Sequence, residues 1–531
     1  MTKATNFIDG VWQEGSLGTL EMINPSYGTK IGEIARSGAS DVDLAVRAAN
    51  RAFSSAWKQT PAAERSRMLR KAADLLLHHA DELAEIESAD TGKPLRQAQN
   101  DARQIVRYLE FYAGAAEHIH GDTIPVSAEH LVFTKRVPLG VTGHIIPWNY
   151  PLQMTGRTLG AALAAGNATV LKPAEDACLA VVRAIELMSK AGFPPGVINL
   201  VTGTGEEAGQ ALADHPGIHH LAFTGSPEVG AHVMKCSAAH IRPVVLELGG
   251  KSPQVVFADA DLERALPVLV NAIIQNAGQT CSAGSRVLVQ QEIHDLLVER
   301  LADRFRSLVV GPADGNPDVG PLVSEKQLER VRTFVHEAVT AGAEIAAQAA
   351  VVFASPDSPS PNSLSPQSPS QSYPSPDSTS QSSHSLETLS PDSPSPDSPS
   401  PDYFAPDFPY HGFFYPPTLL THVDPQSTIA RKEVFGPVLV VIPFRDEEEA
   451  IRLANDVEYG LVAAVWTENL GRAHRVADAI DAGQVYVNGY GAGGGVELPF
   501  GGMKKSGFGR EKGFEALHEV TAVKTYVINK G

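Results

Sequence analysis

The sequence predicts an α/β protein built on a doubly wound parallel sheet, and three observations carry that expectation. Between about 158 and 250, the strand-like segments ATVLKP, VINLVTG, HHLAFTG and RPVVLELGG are separated by stretches with helical spacing, the alternation that yields parallel sheets covered by helices. From Ser252 to about 346 a similar alternation recurs around QVVFADAD and RVLVQ. At 531 residues, with 43% apolar side chains, the chain exceeds one core of ordinary size, so two or three domains are expected.

Residues 5–36 read as short strands and turns, because Asp9-Gly10 and Asn24-Pro25 punctuate alternating apolar positions. Asp41 is placed to cap a helix through Val42, Ala45, Val46 and Ala49, and apolar spacing predicts a longer helix from roughly Ala62 to Ala89 and a third from about Gln97 to Ile119. His78 and His79 fall inside the second helix and read as a solvated face, not as metal ligands. Between about His120 and Arg136 the pattern is extended, resembling a strand pair, and VTGHIIPWNYP follows as an apolar strand closing on Trp148-Asn149-Tyr150 between two prolines. A small-residue helix is expected from about Thr158 to Gly166, a helix running through Cys281, and further helices from about Glu292 and around Glu325 to Thr340.

The composition then breaks. Residues 355–410 are mainly Ser, Pro, Asp and Gln in near-repeats of SPDSP, with seven acidic residues and no Lys or Arg; such a tract cannot bury enough apolar surface to order itself, so a disordered surface loop is expected. Order resumes at FFYPPTLLTHV and continues through VLVVIPF, EEEAIRLAND, AAVWTEN and QVYVNGY to a glycine-rich run, GAGGG, which adjacent strands mark as a functional loop, and a last strand, VTAVKTYVIN.

A formal charge of −18 without a basic stripe argues against nucleic-acid binding. Three cysteines, Cys178, Cys236 and Cys281, lack disulfide-framework or zinc-ligand spacing. With no apolar run of membrane-spanning length and a polar start, MTKATNFIDG, a cytoplasmic protein acting on a small molecule, without a metal or membrane partner, is expected.

Several residue types stand where chemistry needs them. Cys281 lies in Gly278-Gln279-Thr280-Cys281-Ser282, where a thiol between small and hydroxylated neighbours reads as a nucleophile or as a buried structural cysteine. The Asn149 amide, fixed between prolines, is a turn residue or a donor to a developing oxyanion. Glu247, before Gly249-Gly250, is a general base or an ordinary capping or solvated glutamate. Lys172 and Glu175 end a strand, where open α/β sheets bind ligands, or are surface charge. Two glycine patterns compete for a phosphate: Gly203-Thr204-Gly205, whose third glycine, Gly209, is one position late, and the preferred Gly225-Ser226-Pro227-Glu228-Val229-Gly230, which turns from strand into helix.

PWNYP, KPAE, FTGSPEVG, LELGGK, GQTCS, EVFGPV and PFGGMKKSG, in this order, together resemble the NAD(P)-dependent aldehyde dehydrogenase superfamily over essentially the whole chain except about 350–410, and the Glu247 to Cys281 interval agrees with that family. The resemblance implies a Rossmann-type cofactor domain, 1–119 and 139–249, an α/β catalytic domain, 250–485, interrupted by the tract at 350–410, and a small β oligomerisation arm, 120–138 and 509–531, giving a homodimer or homotetramer. It implies that Cys281 attacks an aldehyde, Asn149 stabilises the oxyanion and Glu247 activates the hydrolytic water. Ile146, Trp148, Lys172, Glu175, Gly225, Ser226, Gly230, Glu433 and Phe435 would contact the cofactor, NAD by virtue of Glu175, though relatives with this glutamate also use NADP. Tyr150, Met154, Arg157, Thr280 and Ser282, with the 490–498 loop, would line the substrate tunnel; Arg157 would greet an acidic semialdehyde or pair with a core carboxylate. The chain looks nearest to the betaine-, amino- and aromatic-aldehyde-oxidising branches. Thiol-dependent esterase or acyl-transfer activity, and an inactive structural pseudoenzyme, are the alternatives.

Overall fold

The computed structural model describes residues 2–350, 411–491 and 495–531. The Ser/Pro-rich tract and the centre of the glycine-rich run lie outside these residues, and with them the expected disordered loop and part of the expected tunnel loop.

Five parallel strands form the centre of an eight-stranded sheet, in the order Val244–Glu247, His220–Thr224, Val141–Ile146, Ala168–Pro173 and Ile198–Leu200. Every residue of these strands is buried, as expected when helices cover both faces of a parallel sheet. The hairpin Asn6–Ile8 and Val11–Gln13 closes one edge, and Gly507–Phe508 pairs antiparallel with Val244–Glu247 at the other. From Val141–Ile146 the chain winds outward through Ala168–Pro173 and Ile198–Leu200, then returns to the opposite side of Val141–Ile146 with His220–Thr224. That reversal opens a crevice beyond the carboxyl ends of Val141–Ile146 and His220–Thr224, the place where doubly wound sheets bind ligands.

A seven-stranded sheet contains the second alternation, in the order Glu344–Gln348, Thr418–Thr421, Val438–Phe444, Arg286–Gln290, Pro253–Val256, Val462–Trp466 and Gln484–Val487. All neighbours are parallel except the first pair. Because Glu344–Gln348 and Thr418–Thr421 pair antiparallel and the Ala349 N–H donates to the Pro417 carbonyl at 3.0 Å, the chain leaves for the Ser/Pro-rich tract and returns from it at adjacent points. Thr521–Asn529 pairs antiparallel with His130–Pro138 along nine positions, and Thr123–Ile124 adds a third strand. The expected strand pair after residue 120 thus joins the last strand of the chain. Among the described residues no helix is long and apolar enough to cross a membrane.

Three helix expectations are corrected. The single helix from Ala62 to Ala89 is two, Ala62–His78 and Ala80–Thr91; Asp81 and Glu82 favour a new N-terminus there through the helix dipole, and the His79 ring contacts Glu82 at 2.8 Å. The small-residue helix begins at Pro151, not Thr158, because proline is well suited to the first helical position. The helix expected to run through Cys281 is Leu262–Ile274 and ends before the cysteine, since Asn276, Ala277 and Gly278 all take left-handed backbone angles, φ 50°, 53° and 71°.

Candidate active site

The left-handed turn carries Cys281 out of the core. Its backbone is held by the Asn276 N–H donating to Gln97 Oε1 at 2.9 Å and by the Gln279 N–H and Nε2 both donating to the Asn276 carbonyl at 3.0 Å. Gln279 Oε1 accepts from the Val323 N–H at 2.9 Å. A Cβ on Gly278 would lie 2.2 Å from the Gly436 carbonyl oxygen, so only glycine lets the turn dock on the 433–437 segment. Gln279, Thr280 and Ser282 are buried, whereas Cys281 is partly exposed and packs, as Tyr486 and Tyr490 also do, against the cluster of Leu461, Val462 and Phe500. Cys178 and Cys236 are buried elsewhere.

Asn149 stands beyond the carboxyl end of Val141–Ile146, two residues before Pro151 opens the next helix. Its Nδ2 donates to the Gln279 carbonyl at 2.9 Å, which ties the amide to the cysteine turn, and its Oδ1 has no hydrogen-bond partner among the described residues. One amide hydrogen is therefore committed to the turn and the other is uncommitted. Tyr150 makes a second link, its hydroxyl 2.8 Å from Thr280 Oγ1.

Glu247 ends its strand, and the double glycine after it brings three parts of the site together. A Cβ on Gly250 would meet the Cys281 carbonyl at 2.4 Å, and one on Gly249 would meet Glu433 Oε2 at 2.2 Å. The Gly250 N–H donates to Glu433 Oε1 at 3.0 Å. Glu247 is buried, its carboxylate oxygens lack hydrogen-bond partners among the described residues, and the nearest cation is Arg157 Nη2 at 3.7 Å. Burial raises the Glu247 pKa well above the usual carboxylate range, and Arg157 opposes that rise. Burial likewise pushes the Cys281 thiol up to about 12, with Arg157 opposing and the Glu433 and Glu247 carboxylates adding to the effect. In this arrangement the thiol and its neighbouring carboxyl both favour the neutral form, so thiolate formation needs proton transfer to a base.

At the sheet reversal stand several of the residues expected to contact the cofactor. Buried Lys172 Nζ pairs with Glu175 Oε2 at 2.8 Å, and Glu175 Oε1 accepts from the Gly205 N–H at 3.0 Å. The Gly203–Gly205 pattern therefore reaches the site by supporting Glu175. Ser226 caps the helix Pro227–Ala239, its Oγ accepting from the Val229 N–H at 3.3 Å. Cβ atoms on Gly225 and Gly230 would come within 2.5 Å of the Phe223 ring and Leu248, so both glycines serve close packing of the turn. Ile146 is buried, and the Trp148 and Phe435 rings meet edge to face with centroids 5.4 Å apart. Phe435 holds φ 62°, an unusual angle for a bulky residue; its carbonyl accepts from Gln327 Nε2 at 2.7 Å and the Glu433 carbonyl accepts from Arg330 Nη2 at 2.8 Å.

Among the residues expected to line a tunnel, Tyr150, Met154, Thr280 and Ser282 are all buried, Tyr150 bonds to Thr280, and the Ser282 carbonyl accepts from the Tyr490 hydroxyl. For Arg157 the structure realises the second of the two readings. The guanidinium is buried between Glu247 and an ion-pair partner, Glu511, and lies 4.7 Å from the centre of the Phe500 ring. Its charge is engaged within the protein. The sequence reading missed Lys93, Asn276, Gln279 and Glu511, all of which contact the site only through the fold. For Lys93 one signal was present: a lysine between Gly92 and Pro94, at a break between helices.

A partly exposed thiol on a turn tied to the Asn149 amide and to the strand end of a buried carboxyl, in a protein with a doubly wound sheet, is the arrangement of a thiol-dependent α/β enzyme. Comparison with known proteins narrows the class. The profile of the aldehyde dehydrogenase family matches residues 12–362 and 406–526. The chain is 39% identical to hydroxyisobutyraldehyde dehydrogenase of Mycolicibacterium austroafricanum, over 98% of this chain and 93% of that protein. It is 36% identical to human retinal dehydrogenase 2, over 98% and 91%. Its fold is similar to the NAD+ complex of an aldehyde dehydrogenase from Bacillus cereus, with a TM-score of 0.87, 37% identity, and coverage of 100% of this chain and 97% of that one. The chain belongs to the aldehyde dehydrogenase family, as an oxidoreductase acting on aldehydes.

Proposed function

We propose that this dehydrogenase oxidises an uncharged aldehyde to its carboxylic acid with NAD, through a covalent intermediate on Cys281. The observation that carries this reading is the convergence on one partly exposed thiol of the Asn149 amide, through Gln279, and of the Glu247 strand end, through Gly250. Glu247, as general base, takes the thiol proton; sulfur attacks the carbonyl carbon, and the carbonyl pair moves onto oxygen, where the uncommitted Asn149 amide hydrogen stabilises it. NAD, when bound, supplies the acceptor for the hydride that departs as the oxyanion collapses. Glu247 then passes the thiol proton to solvent and removes a proton from the water that attacks the resulting thioester; the carbon–sulfur bond breaks, the Cys281 sulfur takes that proton back, and the acid is released.

The chemistry of the donor set fits NAD. Lys172 and Glu175 at the carboxyl edge of the sheet suit the adenosine ribose hydroxyls, and a carboxylate there disfavours a 2′-phosphate. The amino end of the helix Pro227–Ala239, capped by Ser226, suits a pyrophosphate. Trp148, Phe435 and Glu433 are read as the nicotinamide side of the crevice, supported by the contact of Gly249 and Gly250 with both Glu433 and the Cys281 backbone. In this reading the cofactor domain comprises 1–119 and 139–249, the catalytic domain 250–485 around the tract, and the arm 120–138 with 509–531.

The apolar surroundings of Cys281 and the internal pairing of Arg157 support an uncharged substrate. Relatives named for hydroxyisobutyraldehyde and for retinal are almost equally similar to this chain, so overall identity does not select among uncharged aldehydes. The exposed apolar side chains Leu131, Val523, Val527 and Ile528 of the arm support a homodimer or homotetramer. Three free cysteines support a reducing, cytoplasmic compartment.

The test is to follow reduction of NAD by the purified enzyme with aliphatic, aromatic, cationic and ω-carboxy aldehydes. Uncharged aldehydes are expected to give the highest kcat/KM, and Cys281→Ala is expected to give no NADH. NADH from the alanine variant at the parent rate would sink the assigned nucleophile.

A further inference from the structure

Lys93 lies at a corner the proposed mechanism does not use. The helix Ala80–Thr91 ends on Gly92, whose φ of 79° turns the chain, and Pro94 precedes the helix Leu95–Ala115. Between them the Lys93 side chain is fully buried, as are Glu87 and nearly all of Asp101. An ammonium has three hydrogens, and here each has an acceptor: Glu87 Oε1 at 2.7 Å, Asp101 Oδ2 at 2.5 Å and the main-chain carbonyl of Asn149 at 2.9 Å. The same carboxylates also grip the first turn of the helix after Asn149, since the Leu152 N–H donates to Glu87 Oε2 at 3.2 Å and Gln153 Nε2 to Asp101 Oδ1 at 2.6 Å.

The Asn149 carbonyl is the meeting point. It accepts from Lys93 on one side and from Asn276 Nδ2, at 2.9 Å, on the other, while the Asn149 side chain donates to the Gln279 carbonyl. Lys93 Nζ also lies 4.5 Å from the centre of the Tyr150 ring, whose hydroxyl reaches Thr280. Two paths thus run from one ammonium to the cysteine turn, one through Asn149 and one through Tyr150. A buried charge with all its donors used is costly to move, because any displacement leaves a charge or carbonyl unpaired.

We propose that Lys93 is a positioning residue that fixes the distance between the Asn149 amide and the Cys281 turn. The proposal rests on the reading of Asn149 as oxyanion donor. Lys93 does not touch the reacting atoms; it acts through Asn149, so its loss lowers kcat while the thiol and the cofactor site are retained.

A double-mutant cycle on the full chain tests this, with kcat for an aldehyde, KM for NAD and the rate of Cys281 alkylation by iodoacetamide measured for each variant. Asn149→Ala is expected to lower kcat by about 100- to 1,000-fold, the loss typical of an oxyanion donor. Lys93→Met is expected to lower kcat by about 10- to 100-fold, as for a misplaced catalytic group, with KM for NAD and the alkylation rate within about threefold of the parent. Combined with Asn149→Ala, it is expected to add less than about threefold, because a residue acting through Asn149 has nothing left to position. Parental kcat in Lys93→Met, or losses that multiply in the double variant, would overturn the proposal. Parental kcat in Asn149→Ala would instead overturn the underlying reading of Asn149. If Lys93→Met does not fold, Lys93→Arg takes its place in the same cycle: it keeps the buried charge but not the donor geometry, and its loss of kcat must likewise vanish in the Asn149→Ala background.

Discussion

Glu247 and Arg157 illustrate how a residue's neighbours set its chemistry. A base must be ionised to act, yet burial raises the Glu247 pKa, so activity is expected to fall as pH drops through a value well above the ordinary carboxylate range. Arg157, 3.7 Å away, counters the rise. Replacing it with methionine is expected to move the acid limb of the kcat/KM profile to higher pH, lowering the rate on that limb about tenfold per pH unit of movement. Arg157→Lys, which keeps a charge, is expected to move it less. An unchanged limb in the methionine variant would show that Arg157 does not control this base. The identities of Cys281, Asn149 and Glu247 as candidates were legible from residue type and local context. The engagement of Arg157 was not, because its partner Glu511 lies more than 350 positions away along the chain.

At the scale of elements, the turn at 276–278 decides whether the thiol is presented or buried. Three successive left-handed residues end the helix that apolar spacing alone would continue, and Gly278 carries both a positive φ and a backbone approach to Gly436. Gly278→Ala is expected to destabilise the turn by at least the ~1–2 kcal/mol of a left-handed alanine. The clash with Gly436 should add to this and displace the thiol, and kcat is expected to fall by about 100-fold. Thermal melting and steady-state kinetics measure the two effects, and parental values in both would refute the role given to the turn. Neither Asn276 nor Ala277 is a residue type that forces such a conformation. Contacts from Gln97, Asn149 and Val323 hold the turn in place, which is why its sequence reads as helix. The break at His79 escapes the apolar pattern for a different reason: the sequence carries no glycine or proline there, and only Asp81 and Glu82 favour a new start.

For the whole molecule, the Ser/Pro-rich tract and the terminal strand make contrasting expectations. The tract connects two antiparallel neighbours, Glu344–Gln348 and Thr418–Thr421, at the edge of the seven-stranded sheet, and loop-closure cost grows only slowly with length. The family match also omits residues 363–405. Deleting 355–405 is therefore expected to leave kcat within about twofold and the melting temperature nearly unchanged; a large loss of either would assign the tract a structural role. In contrast, Thr521–Asn529 exposes Val523, Val527 and Ile528 on the arm. Val523→Glu with Val527→Glu is expected to shift the native mass toward the monomer, as measured by light scattering, through charge placed on an apolar contact surface. An oligomer unaffected by both changes would exclude this face as its interface.

The sequence by itself determined the alternation of strands and helices, though not where every helix begins and ends, because alternating and helical apolar patterns are local signals. Through PWNYP, KPAE, LELGGK and GQTCS it also marked the candidate site residues. Only the tertiary structure decided how they meet. The reversal of strand order around Val141–Ile146 opens the crevice, and Lys93, Asn276 and Gln279 join Asn149 to the cysteine turn. Glu511 claims Arg157 in the same way. These are hydrogen bonds and ion pairs between residues distant in the chain, and their strength depends on a burial that exists only once both sheets have formed.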